Sequence, residues 1–405
     1  MKNRLQLLKV IAKLLLLVVL LASAFVYAMF QGGFVSWFLF YSFIPFALYS
    51  IMLFIYPLSD FEVERSFHSH DYKAGDELEV TIIIKRNLPF PLFYLIVDDI
   101  VTPSLFHLST HQKAKAMVTP GFRREIRLSY MVNELPRGEH EFTDVRLKTG
   151  DFFNLFEKES TLVCKDTVLV YPSFVDMVYR PLESRYDQGM TTSNVKIQKD
   201  TTMATGIRDY QPGDRFSWIH WKSFARTNEL MTKEFEERQS HDILLVLDRQ
   251  ASSAFEQMAM FSASLIRAVI KKGAQIGMLS IGEDHIFHGI RGGEEQQSQL
   301  FYHLAKVRPD SRFHLAKVLE GEGINYQQSA AVMFVTSSLT KPLILSVNNY
   351  AKRNSSVIIF LIKEKGDSYT SEEKALKAMA VARGIWVKVC FEGEFEEAFA
   401  EVKKA

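Results

Sequence analysis

Arg208, Asp214, His220 and Lys222 fall within fifteen positions of one another and are residue types that enzymes use as charge clamps, acids and bases. Around them stand Tyr210, Gly213, Trp218, Trp221 and Arg226, so aromatic and basic groups crowd into one short segment. The spacing alone pairs no nucleophile with a base. The same residues would also serve as a hydrogen-bond network between elements, with Trp218 and Trp221 as core anchors. A third use is partner docking, because Trp, Tyr and Arg dominate the hot spots of protein interfaces. A second group is Asp248, Gln250, Ser252 and Ser253, with Thr336, Ser337 and Ser338 further on. Acidic and hydroxyl oxygens such as Asp248, Ser252 and Thr336 are the ligands that Mg²⁺ prefers.

Other enzyme signatures are missing from the sequence. It has no G-x-x-x-x-G-K-[ST], no G-x-S-x-G, no H-E-x-x-H and no paired C-x-x-C. His68 and His70 lack a third ligand nearby, and His285 and His288 lie on or beside a strand and alternate faces, so both pairs read as surface histidines. Lys and Arg total 48 against 47 Asp and Glu, so no bulk charge draws the chain to nucleic acid. Two widely spaced cysteines, Cys164 and Cys390, argue against a disulfide framework and fit a reducing compartment.

The elements that must position these residues divide the 405-residue chain into four parts. From Leu14 to Ser59 no residue is charged. A bilayer core of roughly 30 Å takes about 20 apolar helical residues, so two spans fit, near 11–30 and 34–56, with Gln31-Gly32-Gly33 as the turn. Lys2, Arg4, Lys9 and Lys13 precede the first span, which predicts both chain ends on the cytoplasmic side of the cell membrane. Ala22-Ser23-Ala24 resembles a signal-peptide cleavage site, yet the apolar run continues past it without a polar break.

Residues 60–179 read as an antiparallel β-sandwich-like domain, with strands near 61–67, 77–85, 94–100, 125–132 and 139–147 separated by Gly- and Pro-containing turns. Residues 180–241 read as a linker followed by the central motif. There Gln211-Pro212-Gly213-Asp214 makes a turn, and Asp214 caps a short helix that turns Phe216, Ile219 and Phe224 inward. From 242 to 405 strands alternate with helices, which predicts an α/β doubly wound domain with ligands outside the carboxyl ends of its strands. The fold class is therefore an α+β multidomain membrane protein with a two-helix transmembrane hairpin.

The segment GIRDYQPGDRFSWIHWKSFARTNELMTKEFEE resembles the signature of the bacterial domain-of-unknown-function family 58. Gly206, Arg208, Tyr210, Gly213, Asp214, Ile219, His220, Trp221, Lys222, Ala225, Arg226, Leu230, Lys233 and Glu234 fit its pattern, and RGEHEFTDVRLKTGDFFNLF is similar to a second family segment. The resemblance implies a C-terminal von Willebrand factor A-like domain. It also implies an adaptor or scaffold role beside a MoxR-type AAA+ ATPase and a transglutaminase-like membrane protein, in complex assembly or envelope maintenance. The alternative is an enzyme acting on an envelope precursor through the central motif. The D-x-S-x-S metal motif of such domains appears here as Asp248-Arg249-Gln250-Ala251-Ser252, with Gln in place of the middle Ser. Thr336 is followed by Ser337, where an Asp is expected.

Overall fold

The structure, a computed structural model, describes residues 2–69, 71–101, 114–153, 155–180, 199–212, 214–237, 242–321, 331–351 and 356–399. His70, Gly213 and residues 181–198 of the expected linker lie outside them. The chain divides into two compact units, Met1–Tyr171 and Pro172–Ala405.

The charge-free run forms α2 (Phe34–Ile55) and the greater part of α1 (Lys2–Gln31), which begins in the basic stretch before it. They turn at Gly32, whose φ of +62° suits a residue without a Cβ. Residues 12–31 and all of α2, 20 and 22 residues long, have mean hydropathies of 2.4 and 2.0 and are long and apolar enough to cross a bilayer. Pro45 lies inside α2 without ending it.

Eight strands follow: β1 (Phe61–Phe67), β2 (Tyr72–Lys73), β3 (Leu78–Arg86), β4 (Leu95–Val101), β5 (Lys115–Val118), β6 (Glu125–Val132), β7 (Gly138–Gly150) and β8 (Glu157–Tyr171). They form two sheets, ordered β1-β3-β6 and β2-β8-β7-β4-β5. Along β3 every second residue is buried, the period that a strand with one inward face must show. Val80, Ile82 and Ile84 of β3 share one core with Val97 of β4 and with Val145 and Leu147 of β7. A charged group crosses this core: Arg65 of β1 pairs with Asp99 of β4 at 2.6 Å and Asp166 of β8 at 2.7 Å. Strands β2, β5 and β8 fall outside the expected set. Most of β8 alternates exposed with half-buried positions, so its sequence carries little apolar contrast to mark it as a strand.

Helices α1 and α2 and the strands belong to one unit. Ser50 of α2 donates to Asp151 at 2.7 Å, and Lys158 donates to the carbonyls of Phe54 and Tyr56 at 2.6 and 2.5 Å.

The second unit starts at Pro172, not after 179. Val175 N–H donates to Ser264 Oγ at 2.8 Å and the Phe174 ring lies 6.0 Å from that of Phe301, so this stretch packs on the α/β domain. Next comes an antiparallel ribbon of β9 (Lys199–Asp209) and β10 (Met231–Glu237) that encloses helix α3 (Trp221–Thr227).

The α/β domain carries β11 (Ile243–Asp248), β12 (Ile276–Ile281), β13 (His285–Arg291), β14 (Ala331–Thr336), β15 (Val357–Lys363) and β16 (Trp386–Phe391). The order is β13-β12-β11-β14-β15-β16, parallel except for β13. Every residue of β11 and β12 is buried, as expected of parallel strands covered on both faces. Helices α4 (Phe255–Lys271), α5 (Glu294–Lys306), α6 (Leu315–Gly321), α7 (Lys341–Ala351) and α8 (Ser371–Val381) provide that cover. On one face Val246, Phe334 and Ile359 meet Ile344 and Val347 of α7. Elsewhere in this core Phe261 of α4 lies 4.9 Å from Phe360 and 5.3 Å from Phe395, each buried ring adding roughly 1.5–3 kcal/mol. Strand order reverses between β11 and β14, which puts Asp248 and Thr336 at the crevice where such sheets bind ligands.

Candidate functional site

The central motif folds as the closed end of the β9–β10 ribbon. Arg208 stands opposite Thr232, and Tyr210 N–H donates to the Leu230 carbonyl at 3.0 Å. Gln211 and Asp214 close on each other as a turn there requires, with Asp214 N–H donating to Gln211 O at 3.0 Å and Gln211 N–H donating back to the Asp214 carboxylate at 3.1 Å. The Arg208 guanidinium donates to Asp214 at 2.7 Å, and this bond first, then the Gln211 amide, holds the Asp214 carboxyl below the usual carboxylate range.

Asp214 is not the helix cap. A 3-10 turn, Phe216–Trp218, comes first, and α3 is capped by His220, whose Nδ1 accepts from Ser223 N–H at 3.1 Å and lies 2.8 Å from Ser223 Oγ. Nor do the three apolar residues share an inward face: Ile219 is buried, Phe224 is half-buried and Phe216 is 75% exposed. Trp221 is 60% exposed, which removes it from the role of core anchor. Trp218 is half-buried, with the Arg215 guanidinium 5.4 Å above its ring. Trp221, Lys222 and Arg226 form an exposed aromatic and basic face on α3, while Arg208, Tyr210 and Asp214 brace the ribbon beneath it. Ser223 was missed by sequence reasoning. Its signal was the three-residue spacing from His220, the N-cap to N3 distance of a capping pair.

At the sheet rim the structure brings Asp248 and Thr336 together. Asp248 Oδ2 accepts from Thr336 Oγ1 at 2.8 Å, and Oδ1 accepts from Gln250 N–H at 3.0 Å. Ser252 Oγ accepts from Ala254 N–H at 3.2 Å, and the Gln250 side chain is engaged by His314 at 3.2 Å. Asp248 is buried, and burial pushes its carboxyl up. Mg²⁺ demands a near-octahedral oxygen shell and usually draws on carboxylate charge. The only carboxylate of this donor set is Asp248, and each of its oxygens already accepts a hydrogen bond from the protein. Among the described residues no group of three or more His, Cys, Asp or Glu could hold a metal ion. The residues present therefore do not fit the ion.

Arg249, an unspecified position in the metal motif, turns out to organise the rim. Its buried guanidinium donates to Arg308 O at 3.0 Å and Asp284 O at 3.2 Å and pairs with Asp310. A side chain at Gly282 would collide with both Arg249 and Asp310.

A family model described as "Protein of unknown function DUF58" matches residues 206–370. The chain is 37% identical over 379 residues to "Uncharacterized protein YeaD" of Bacillus subtilis (strain 168), spanning 93% of this chain and 94% of that one. Among solved structures, the VWA domain of SpRpn10 is similar over 38% of this chain and 92% of its own, with 9% identity and a TM-score of 0.28. The CARDB domain of a Pyrococcus furiosus protein is similar over 27% of this chain and 92% of its own, with 14% identity and a TM-score of 0.20. At such scores the strand order itself, not the likeness, carries the fold class.

Proposed function

The chain belongs to the family described as protein of unknown function DUF58, and on that premise we propose that it is a membrane-anchored adaptor for a MoxR-type AAA+ ATPase. In this reading α1 and α2 cross the cell membrane, and Lys2, Arg4, Lys9 and Lys13 keep the N-terminus in the cytoplasm. The strand unit is then a cytoplasmic β-sandwich that positions the rest. A transglutaminase-like membrane protein is the second partner in assembly or envelope maintenance.

The observation that supports the docking role is the exposure of Trp221 and Phe216, at 60% and 75%, beside the exposed Lys222 and Arg226. Exposed Trp with exposed Arg is the composition that interface hot spots favour. The ribbon beneath is braced by the Arg208–Asp214 pair, so the face is pre-organised and little conformational freedom is lost on binding.

The test is binding of the purified ATPase to the full chain in mild detergent, native against Trp221→Ala, Lys222→Ala. A hot-spot Trp contributes about 2 kcal/mol or more, so Kd should rise roughly 30-fold or further. Unchanged affinity in a variant that keeps its ribbon would remove the docking role from this face.

A second reading, an enzyme acting on an envelope precursor at the inner leaflet, is favoured by the 2.8 Å approach of His220 Nδ1 to Ser223 Oγ. It predicts that Ser223→Ala abolishes turnover while the ATPase stays bound.

A further inference from the structure

We propose that Phe152 and Phe153, between β7 and β8, together with Phe93, are immersed in the acyl chains of the leaflet from which the strand unit hangs. The inference rests on the reading that α1 and α2 cross the bilayer. What it adds is that the strand unit does not merely hang below the membrane but has a wedge in it.

Two rulers locate the loop. On α1 the last charge is Lys13, and residues 14–31 are 18 residues long, about 27 Å at 1.5 Å each, close to the hydrocarbon thickness of roughly 30 Å. The edge of the hydrocarbon therefore lies near Leu14. Phe156, from the loop, is buried against Leu17 of α1 and Ala47 of α2, with Leu14, Leu21, Phe43, Ile51 and Leu155 around them. The loop thus reaches past Leu14 toward the bilayer centre.

On α2 the Phe153 ring lies 6.1 Å from Phe43 and 5.5 Å from Phe46, and Phe152 lies 5.5 Å from Phe46. Phe43 precedes Ile55 by twelve residues, about 18 Å along the helix. By the first ruler Leu17 lies about 4.5 Å inside the hydrocarbon edge, and by the second Phe46 and Phe43 lie about 13.5 and 18 Å in from the end of α2, so both place the loop's apolar rings within the hydrocarbon.

The chemistry of the loop suits that depth. Phe152, Phe153 and Phe93 remain 67%, 47% and 49% exposed although they touch the helix, so their outer faces need an apolar neighbour. The Phe152 ring also meets Phe93 at 6.3 Å, joining the two loops into one surface continuous with α2. Lipid offers no hydrogen bonds, so polar groups at this depth must be satisfied within the protein. Asp151 meets that condition: it is 2% exposed, accepts from Ser50 Oγ at 2.7 Å and from Phe156 N–H at 2.9 Å, and its own N–H donates to Phe156 O at 3.1 Å. Lys158, just beyond the loop, directs its ammonium to the carbonyls of Phe54 and Tyr56 at the end of α2, where a cation leaving the hydrocarbon would sit.

The experiment places a nitroxide at Phe152→Cys and, independently, at Phe93→Cys. The full chain, with Cys164 and Cys390 replaced by Ala, is held in phosphatidylcholine–phosphatidylglycerol nanodiscs. Collision with oxygen, which concentrates in hydrocarbon, is compared with collision with a neutral nickel chelate, which stays in water. Leu39→Cys on α2 and Val163→Cys on β8, 55% and 72% exposed, serve as membrane and water references. Labels at 152 and 93 should follow Leu39, with strong oxygen and weak nickel relaxation. Behaviour like Val163 while Leu39 stays in lipid would overturn the wedge and leave the anchor standing. Shielding from both reagents would mean that protein covers the loop, which also overturns it. Nickel access at Leu39 would fell the anchor, and the wedge with it.

Discussion

Arg65 has a fully buried side chain whose guanidinium makes four hydrogen bonds: to Asp99 Oδ1 at 2.6 Å and Oδ2 at 3.3 Å, to Asp166 at 2.7 Å and to the Cys164 carbonyl at 2.6 Å. Its carbon lies 5.0 Å above the Phe142 ring. Consider Arg65→Met. Asp166 is 32% exposed, so water can take over its lost bond. Asp99 is fully buried and keeps only Tyr130 O–H, at 2.6 Å, as a side-chain donor. Removing one partner of a buried pair costs about 3–5 kcal/mol, because the charge left behind stays out of water. Hydrogen–deuterium exchange of the full chain in nanodiscs, read on peptides covering β1 and β4, reports this locally. Opening-limited exchange should accelerate by roughly 10²–10⁴-fold. Arg65→Met, Asp99→Leu, which removes both charges, should recover most of the loss. A single variant that exchanges like the native chain would refute the view that this ion cluster ties the two sheets. Equal damage in single and double variants would shift the cause to the Phe142 contact.

Two further outcomes follow from titratable groups. Asp214 has its folded carboxyl lowered by Arg208, so its stabilising effect is present above the ordinary carboxylate range and lost as pH falls through the lowered value. Ribbon amides, corrected for intrinsic exchange, should therefore loosen on acidification in the native chain, and Asp214→Asn should abolish that dependence; an unaltered pH profile in the variant would refute it. Asp248 has the opposite sign: burial raises its folded carboxyl, so its contribution is fully present below the ordinary range and lost as pH rises through the raised value. Asp248→Asn should flatten the fall of unfolding temperature over that interval. Millimolar Mg²⁺ should leave the native unfolding temperature unchanged, and a rise would show that the rim binds the ion after all.

Legibility in the sequence tracked how much contrast each element needs to write. The strands β11, β12, β14 and β15 are apolar along nearly their whole length because helices cover both faces, and the sequence separates them cleanly from the flanking helices. Strand β9 begins within the stretch that reads as a linker, at 199–202. A two-stranded ribbon has no second layer to impose an apolar face, and Lys199-Asp200-Thr201-Thr202 opens it with polar residues. At the candidate site the turn at Gln211–Asp214 was legible because turn chemistry is local. Burial was not: Trp218 and Trp221, three residues apart, differ because Trp218 lies under Arg215 while Trp221 points outward from α3. Arg249 was invisible because its partners come from segments about 35 and 60 residues away, and no local pattern encodes such a meeting.

Lys158 gives the joint between helix and strands its mechanical character. An α-helix ends in carbonyls without partners, and a chain leaving such an end ordinarily turns freely about the next few bonds. Here one ammonium from β8 clamps the carbonyls on both sides of that exit, at Phe54 and Tyr56, while Ser50 and Asp151 hold the helix one turn higher. The junction thus has a stop against twisting as well as against bending. A torque applied to the sheets reaches α2 without slack, as through a keyed shaft rather than a cord.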